Sequence, residues 1–248
     1  MTTLIMGIIN LTDDSFYVGS RVEPDNLLET ASRMIDDGAD ILDIGAESSS
    51  PGSERVPESQ ELFKIQKATK LLKTHFPKVP LSIDTQRASV AKAALEEGAD
   101  IINDVSGISD PNMLEIVKKY NAGLVIMHSR GDSKTMDSLT DYDDLIKDML
   151  DFFNAKIHEA KSCGIDKLII DPGLGFAKTK EQNWHILDNL SAFKALGYPL
   201  LIGHSRKRFL DGSLEKTLEV SAFCAKNGVG IIRVHDVKKN YAKLNCIP

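Results

Sequence analysis

What most constrains the fold is a unit that recurs along the chain. It consists of a helix-like segment, a glycine or turn residue, a spacer of one to three residues, a run rich in Ile, Leu and Val, and a polar or glycine loop. It reads as Asp37-Gly38-Ala39-Asp40 before residues 41–44, and as Glu97-Gly98-Ala99-Asp100 before Ile101-Ile102. It returns at Gly123 before 124–127, Gly164 before 168–170, Gly197 before 200–202 and Gly228 before 230–234. Glycine just past a helix end supplies the left-handed cap that stops the helix. Residues 4–9 and 81–84 have strand character without that lead-in, which brings the strands to eight.

Between the runs, residues 26–36, 58–74, 89–97, 113–119 and 142–162 carry apolar side chains at three- and four-residue spacing, and a short helix is expected at 238–244. The apolar runs do not alternate with polar residues, as expected of parallel strands covered by helices on both faces. Eight units in 248 residues average 31 each, close to the ~250 residues of a (β/α)8 barrel. The expected architecture is therefore an α/β fold, a single-domain (β/α)8 TIM barrel over residues 1–248. An open doubly wound sheet is the competing arrangement.

Charge narrows the partners. The formal net charge is −6, from 30 basic and 36 acidic residues spread without blocks, unlike the clustered basic face of a nucleic-acid binder. A small ligand is the better expectation. Cys163, Cys224 and Cys246 are odd in number and widely spaced, which fits a reducing compartment better than a disulfide framework or zinc site. No basic residue precedes Arg21, and no apolar run approaches the roughly 20 residues of a membrane span, so a cytoplasmic location is expected.

In a barrel the strand ends and the loops after them share one face. The stretch Leu168-Ile169-Ile170-Asp171-Pro172-Gly173-Leu174-Gly175-Phe176-Ala177-Lys178 has the required layout: an apolar run, one carboxylate at its end, then a glycine turn. The other tops carry Asn10, Asp43, Asp84, Asn103, His128, His204 with Ser205-Arg206-Lys207, and Arg233 with His235. A single Asp or Asn at a strand end is commonly a turn former. A ring of carboxylates, amides and cations around one core end calls for a ligand, or for each other, as partners.

Asp84, Asp171 and Asn103 suit a flat heterocycle whose edge presents several N–H donors, with Lys207 serving an oxo group or ring nitrogen. Arg233, His235 and Asn10 suit a phosphate-like anion and a Mg²⁺ ion. Together these point to a diphosphate ester of a heterocycle. The loops at 11–22 and 47–57 mix glycine, serine and proline as active-site loops do. By contrast His75, His158 and His185 read as surface or packing residues, and Trp184 as a helix residue on the outside of the barrel.

The motifs resemble those of dihydropteroate synthases over nearly the whole chain. The matching blocks are Met6-Gly7-Ile8-Ile9-Asn10-Leu11-Thr12 with Asp14-Ser15-Phe16, Asp43-Ile44-Gly45-Ala46-Glu47-Ser48, Ser82-Ile83-Asp84-Thr85, Ile102-Asn103-Asp104-Val105, and Met127-His128. They continue through Asp171-Pro172-Gly173-Leu174-Gly175-Phe176, Ser205-Arg206-Lys207 and Arg233-Val234-His235-Asp236-Val237.

The resemblance implies a barrel that condenses 6-hydroxymethyl-7,8-dihydropterin diphosphate with p-aminobenzoate, giving dihydropteroate and pyrophosphate with Mg²⁺, usually as a homodimer. By position, Asp84, Asn103, Asp171, Lys207 and Arg233 would hold the pterin, with Arg233 stacked on its ring. Asn10, Arg233 and His235 would take the diphosphate, with Asn10 on the magnesium. Ser49, Ser50, Pro51, Phe176 and Lys207 would border p-aminobenzoate. Arg233, His235 and Lys207 are the implied catalytic set.

The chain departs from the family pattern in two loops. Where the family usually reads Ser-Thr-Arg-Pro-Gly, this chain has Ser48-Ser49-Ser50-Pro51-Gly52, with Arg55 nearby as a candidate replacement. The family's proline and second aspartate in the first loop are Asp13 and Val18 here, and the segment from Lys207 to Arg233 is shorter than usual. Two further readings stay open beside an active synthase: a divergent pterin-binding paralogue with little turnover, and a non-catalytic partner subunit of the folate pathway.

Overall fold

A computed structural model describes residues 2–11, 24–47 and 56–246. Its strands are β1 (Leu4–Asn10), β2 (Ile41–Gly45), β3 (Leu81–Asp84), β4 (Ile101–Asp104), β5 (Gly123–Met127), β6 (Leu168–Asp171), β7 (Leu201–Gly203) and β8 (Ile231–Val234). All pair in parallel, in the order β6-β5-β4-β3-β2-β1-β8-β7. The two ends of that order also meet, through a parallel bridge between Ile170 and Leu200 and an N–H of Ile170 donating to the carbonyl of Pro199 at 3.0 Å. The sheet is thus a barrel, thinnest at the β6–β7 seam. An open doubly wound sheet would reverse direction at a switch point instead of closing.

The helices among the described residues are α1 (Pro24–Asp36), α2 (Glu58–His75), α3 (Ala88–Glu96), α4 (Met113–Lys119), α5 (Leu145–Ser162), α6 (Lys180–Asp188), α7 (Leu190–Lys194), α8 (Leu214–Lys226) and α9 (Val237–Asn245). Their inward faces and the outward faces of the strands form one large core, which includes Ile44, Ile65, Ile83, Ile102, Ile126, Phe153 and Ile202. No helix among the described residues is long and apolar enough to cross a membrane.

Two local expectations are corrected. Gly123 is the first residue of β5 and not the helix cap; the left-handed residue before that strand is Asn121, at φ +53°, a conformation asparagine tolerates better than most side chains. Helix α5 starts at Leu145 and not at 142, because Asp144 caps it, accepting a hydrogen bond from the Lys147 N–H. Helix α6 opens on a full capping box between Thr179 and Gln182, which fixes where the turn after β6 must end.

Candidate active site

Alternate strand residues face the barrel interior. The layer nearest the strand starts is apolar: Met6, Ile41, Val125, Leu201 and Ile231 are buried together, with Ile101 and Ile169 against them. Two residues further along four of these strands stand Asp43, Asn103, Asp171 and Arg233, and Asp84 lies beside Asn103 in the sheet. One step of the strand period turns a sealed core into a polar mouth.

Arg233 is the hub of that mouth. Its Nε donates to Asp43 Oδ2 at 2.6 Å and its Nη2 to Asp84 Oδ2 at 2.6 Å. Burial works against the guanidinium charge, but Asp43 and Asp84 outweigh it and hold its pKa above the ordinary arginine value. Asn103 Nδ2 leans on the same Asp43, 3.4 and 3.5 Å from its two oxygens, and its own buried Oδ1 has no partner among the described residues. A buried acceptor left open costs stability unless something donates to it. Burial, reinforced by Asp43 and opposed by Arg233, pushes the Asp84 carboxyl up to about 7.

Across the mouth, Asp171 ends β6. Its Oδ1 accepts the Gly173 N–H at 2.8 Å, while burial raises its pKa against the pull of Lys207. Burial lowers Lys207 to about 8, with Asp171 opposing. The Lys207 ammonium donates to the Leu174 carbonyl and sits 4.4 Å from the centre of the Phe176 ring, a cation–π distance. Glycine is required where this turn approaches its neighbours. A Cβ on Gly173, at φ +66°, would lie 2.1 Å from the His128 carbonyl oxygen, and one on Gly175 would lie 3.1 Å from Lys207 Cδ.

His235 is exposed at the end of β8, with Nδ1 3.0 Å from the Ser205 hydroxyl and its backbone N–H donating to the same oxygen at 3.2 Å. Asn10 is the exposed last residue of β1, at the strand-top end of the barrel. Ser49, Ser50 and Pro51 lie outside the described residues, as do Asp13, Val18 and Arg55. The structure therefore gathers Asp84, Asn103, Asp171, Lys207 and Arg233 around one opening, with Phe176 on the Lys207 side.

Two strand-top residues turn away from it. His128 faces the helix layer, 5.0 Å ring to ring from Phe152 and 6.3 Å from Phe153, where burial lowers its pKa to about 2. His204 is fully buried against α8, 2.8 Å from Ser221 Oγ and 3.2 Å from the Thr217 carbonyl, and burial lowers it to about 4. Both follow an inward residue, Met127 and Gly203, so the strand period points them outward. His75, His158 and His185 are exposed on helices, and Trp184 stands 40% exposed on α6 against Phe209.

Three residues that build the mouth or the turn behind it escaped the sequence reading. Asp43 stood at a strand top without a role, and is the fully buried counter-ion of Arg233. Lys178 and Asn183 brace the turn after β6. Lys178 closed the glycine stretch and was the available signal; nothing in the local pattern marked Asn183.

Residues 6–235 match the family described as pterin binding enzyme. A dihydropteroate synthase from a Synechocystis species is 41% identical over 249 residues, spanning 95% of this chain and 86% of its own length. The solved dihydropteroate synthase of Yersinia pestis with a sulfonamide drug complex has a TM-score of 0.92 at 35% identity, covering 99% of this chain and 93% of that one. The Clostridium difficile dihydropteroate synthase, determined in the presence of pteroic acid, has a TM-score of 0.91 at 39% identity, covering 98% and 95%.

Proposed function

The chain belongs to the pterin binding enzyme family, and we infer from that membership and the barrel mouth that it is a dihydropteroate synthase of folate biosynthesis. It joins 6-hydroxymethyl-7,8-dihydropterin diphosphate to p-aminobenzoate and releases pyrophosphate. The observation that carries this reading is the convergence of Asp84, Asn103, Asp171 and Lys207 on one opening, with the Asn103 Oδ1 unpartnered among the described residues. That set offers acceptors to the N–H edge of a pterin and a cation to its oxo group.

The chemistry proposed is dissociative. Arg233 and His235 draw charge onto the departing pyrophosphate, the C–O bond to the exocyclic CH₂ breaks, and the electron-rich pterin carries the resulting cation. The neutral aniline nitrogen of p-aminobenzoate then attacks that carbon and loses its extra proton. Preorganised charge at the leaving group supplies most of the acceleration, so no strong general base is needed. Phe176 and Lys207, with Ser49, Ser50 and Pro51, border the p-aminobenzoate side in this reading.

No group of three or more His, Cys, Asp or Glu among the described residues could hold a metal, but Mg²⁺ needs no such cage. It commonly takes one or two protein ligands and fills its shell with substrate phosphate oxygens and water. The exposed Asn10 carboxamide fits that part, and a Mg²⁺ ion there would neutralise diphosphate charge. A homodimer and a cytoplasmic location complete the proposal.

The test is direct. Purified protein mixed with the pterin diphosphate, p-aminobenzoate and Mg²⁺ should release pyrophosphate and form dihydropteroate in equal amounts, at a rate that depends on both substrates. Tight pterin binding without turnover would replace this reading with a non-synthase paralogue, and Ser50→Arg would then test the missing loop arginine.

A further inference from the structure

The turn between β6 and α6 is folded around a buried cation. Lys178 Nζ, in a residue only 8% exposed, lies 3.1 Å from the Gly173 carbonyl, 2.9 Å from the Phe176 carbonyl and 3.2 Å from the His128 carbonyl. A fourth contact reaches His128 Nδ1 at 3.1 Å, and since that ring is held neutral by burial, Nδ1 can accept from the ammonium. The lysine thus takes the place that a bound ion would fill in a nest of carbonyls. Three backbone carbonyls converging in a buried space repel one another, and the ammonium relieves that cost by sharing its three donors among the four acceptors, while burial lowers its pKa to about 7 with Asp171 opposing.

The turn needs this support because its backbone is unusual. Gly173, Gly175 and Ala177 all have positive φ, at +66°, +80° and +50°, and the alanine there is strained. A second brace comes from Asn183 on α6, whose Oδ1 accepts the Gly175 N–H at 2.6 Å while its Nδ2 donates to Thr179 O at 2.6 Å. Between the two braces the turn presents the Phe176 ring and the Leu174 carbonyl, both of which hold Lys207.

We propose that Lys178 is a positioning residue for the p-aminobenzoate side of the site: its ammonium sets the turn that places Phe176 and, through the Leu174 carbonyl, Lys207. It does not itself reach the mouth. The heterocycle side depends on it less: Asp171, Asp84 and Asn103 are fixed by the strands that carry them, and Lys207, which serves both sides, keeps its attraction to Asp171 when the turn loosens. This inference rests on the synthase reading.

The test is a KM split. In Lys178→Met, KM for p-aminobenzoate should rise tenfold or more, while the calorimetric Kd for the pterin diphosphate should change by no more than about threefold. Lys178→Arg, which keeps charge and donors, should restore part of the p-aminobenzoate KM. Lys178→Gln, which keeps amide donors and most of the length without the charge, should show the same split and carries the test if the Met variant fails to fold; Asn183→Ala removes the independent brace and should show a smaller split of the same kind. A fall in kcat with both substrate constants unchanged, or equal loss for both substrates, would overturn the proposal. A wild-type enzyme that makes no dihydropteroate would instead sink the function itself, so the two failures are distinguishable.

Discussion

Two layers of one barrel interior, one step of the strand period apart, do opposite work. The lower half, Met6, Ile41, Val125, Leu201 and Ile231, is dry and self-complementary. The upper half gathers Asp43, Asp84, Asn103, Asp171 and Arg233, buries charge, and leaves an acceptor open on Asn103. The lower layer lets the strands register and close, and the upper layer spends part of that stability on groups that wait for a ligand. The comparison says that substitutions in the two layers should separate stability from activity.

The largest effect is expected in the upper layer at Asp171. Asp171→Asn puts an amide donor where the heterocycle's own donors arrive, so pterin affinity should fall by about 10³-fold or more. The fold should hold, because the Asn Oδ1 can still accept the Gly173 N–H. Calorimetry with the pterin diphosphate checks it; retained affinity would remove Asp171 from the pocket.

Arg233 tests whether the upper layer contributes to both quantities. Arg233→Leu should lower kcat/KM by about 10²–10³-fold through lost charge at the leaving group. It should also destabilise the fold by about 3–5 kcal/mol, since it strands the fully buried Asp43 beside Asp84. Adding Asp43→Asn should recover part of the melting temperature and none of the activity. If the double variant regained activity, Arg233 would be a structural ion-pair partner only.

The lower layer should respond in the other way. Leu201→Ala, at a fully buried position, should cost about 2–5 kcal/mol in denaturant unfolding while KM for both substrates stays at the wild-type value. A shifted KM would mean that the two layers are mechanically coupled and that the division drawn between them is too sharp.

The same division explains what could be read before the structure. Eight apolar runs at regular spacing specify a barrel because each must bury both faces, so β1 to β8 lie where the pattern puts them to within a residue or two. Asp84, Asn103, Asp171 and Arg233 were legible for the same reason: they stand at the ends of runs, or one residue inside, where the period points them inward. His128 and His204 also end runs, yet face outward, and a parallel strand that is apolar on both sides hides which parity is which. Asp43 as counter-ion, and the Lys178 and Asn183 braces, depend on contacts between distant segments that no local pattern contains.

The smallest expected effect concerns the titration of the upper layer. Asp84, raised to about 7 chiefly by burial, must be ionised to accept an N–H edge from the pterin. Pterin affinity should therefore rise with pH and level off above about 7, weakening below it by at most about tenfold per pH unit. Stability should move oppositely. Between the ordinary value of 3.8 and about 7, the folded chain keeps a proton that the unfolded chain has lost, so this group's contribution falls as pH rises through that window. Arg233 moderates both trends by pairing with the ionised form. Fluorescence titration with the pterin, alongside urea unfolding from about pH 5 to 8, measures the two slopes. Asp84→Asn should weaken binding overall, flatten the binding slope and reduce the stability slope, to which the buried Asp104 and Glu61 carboxyls, raised in the same direction, also contribute. A binding slope that persists in that variant would assign the titration to Asp171, whose burial raises it in the same direction, and would move the proton-sensitive half of the mouth from β3 to β6.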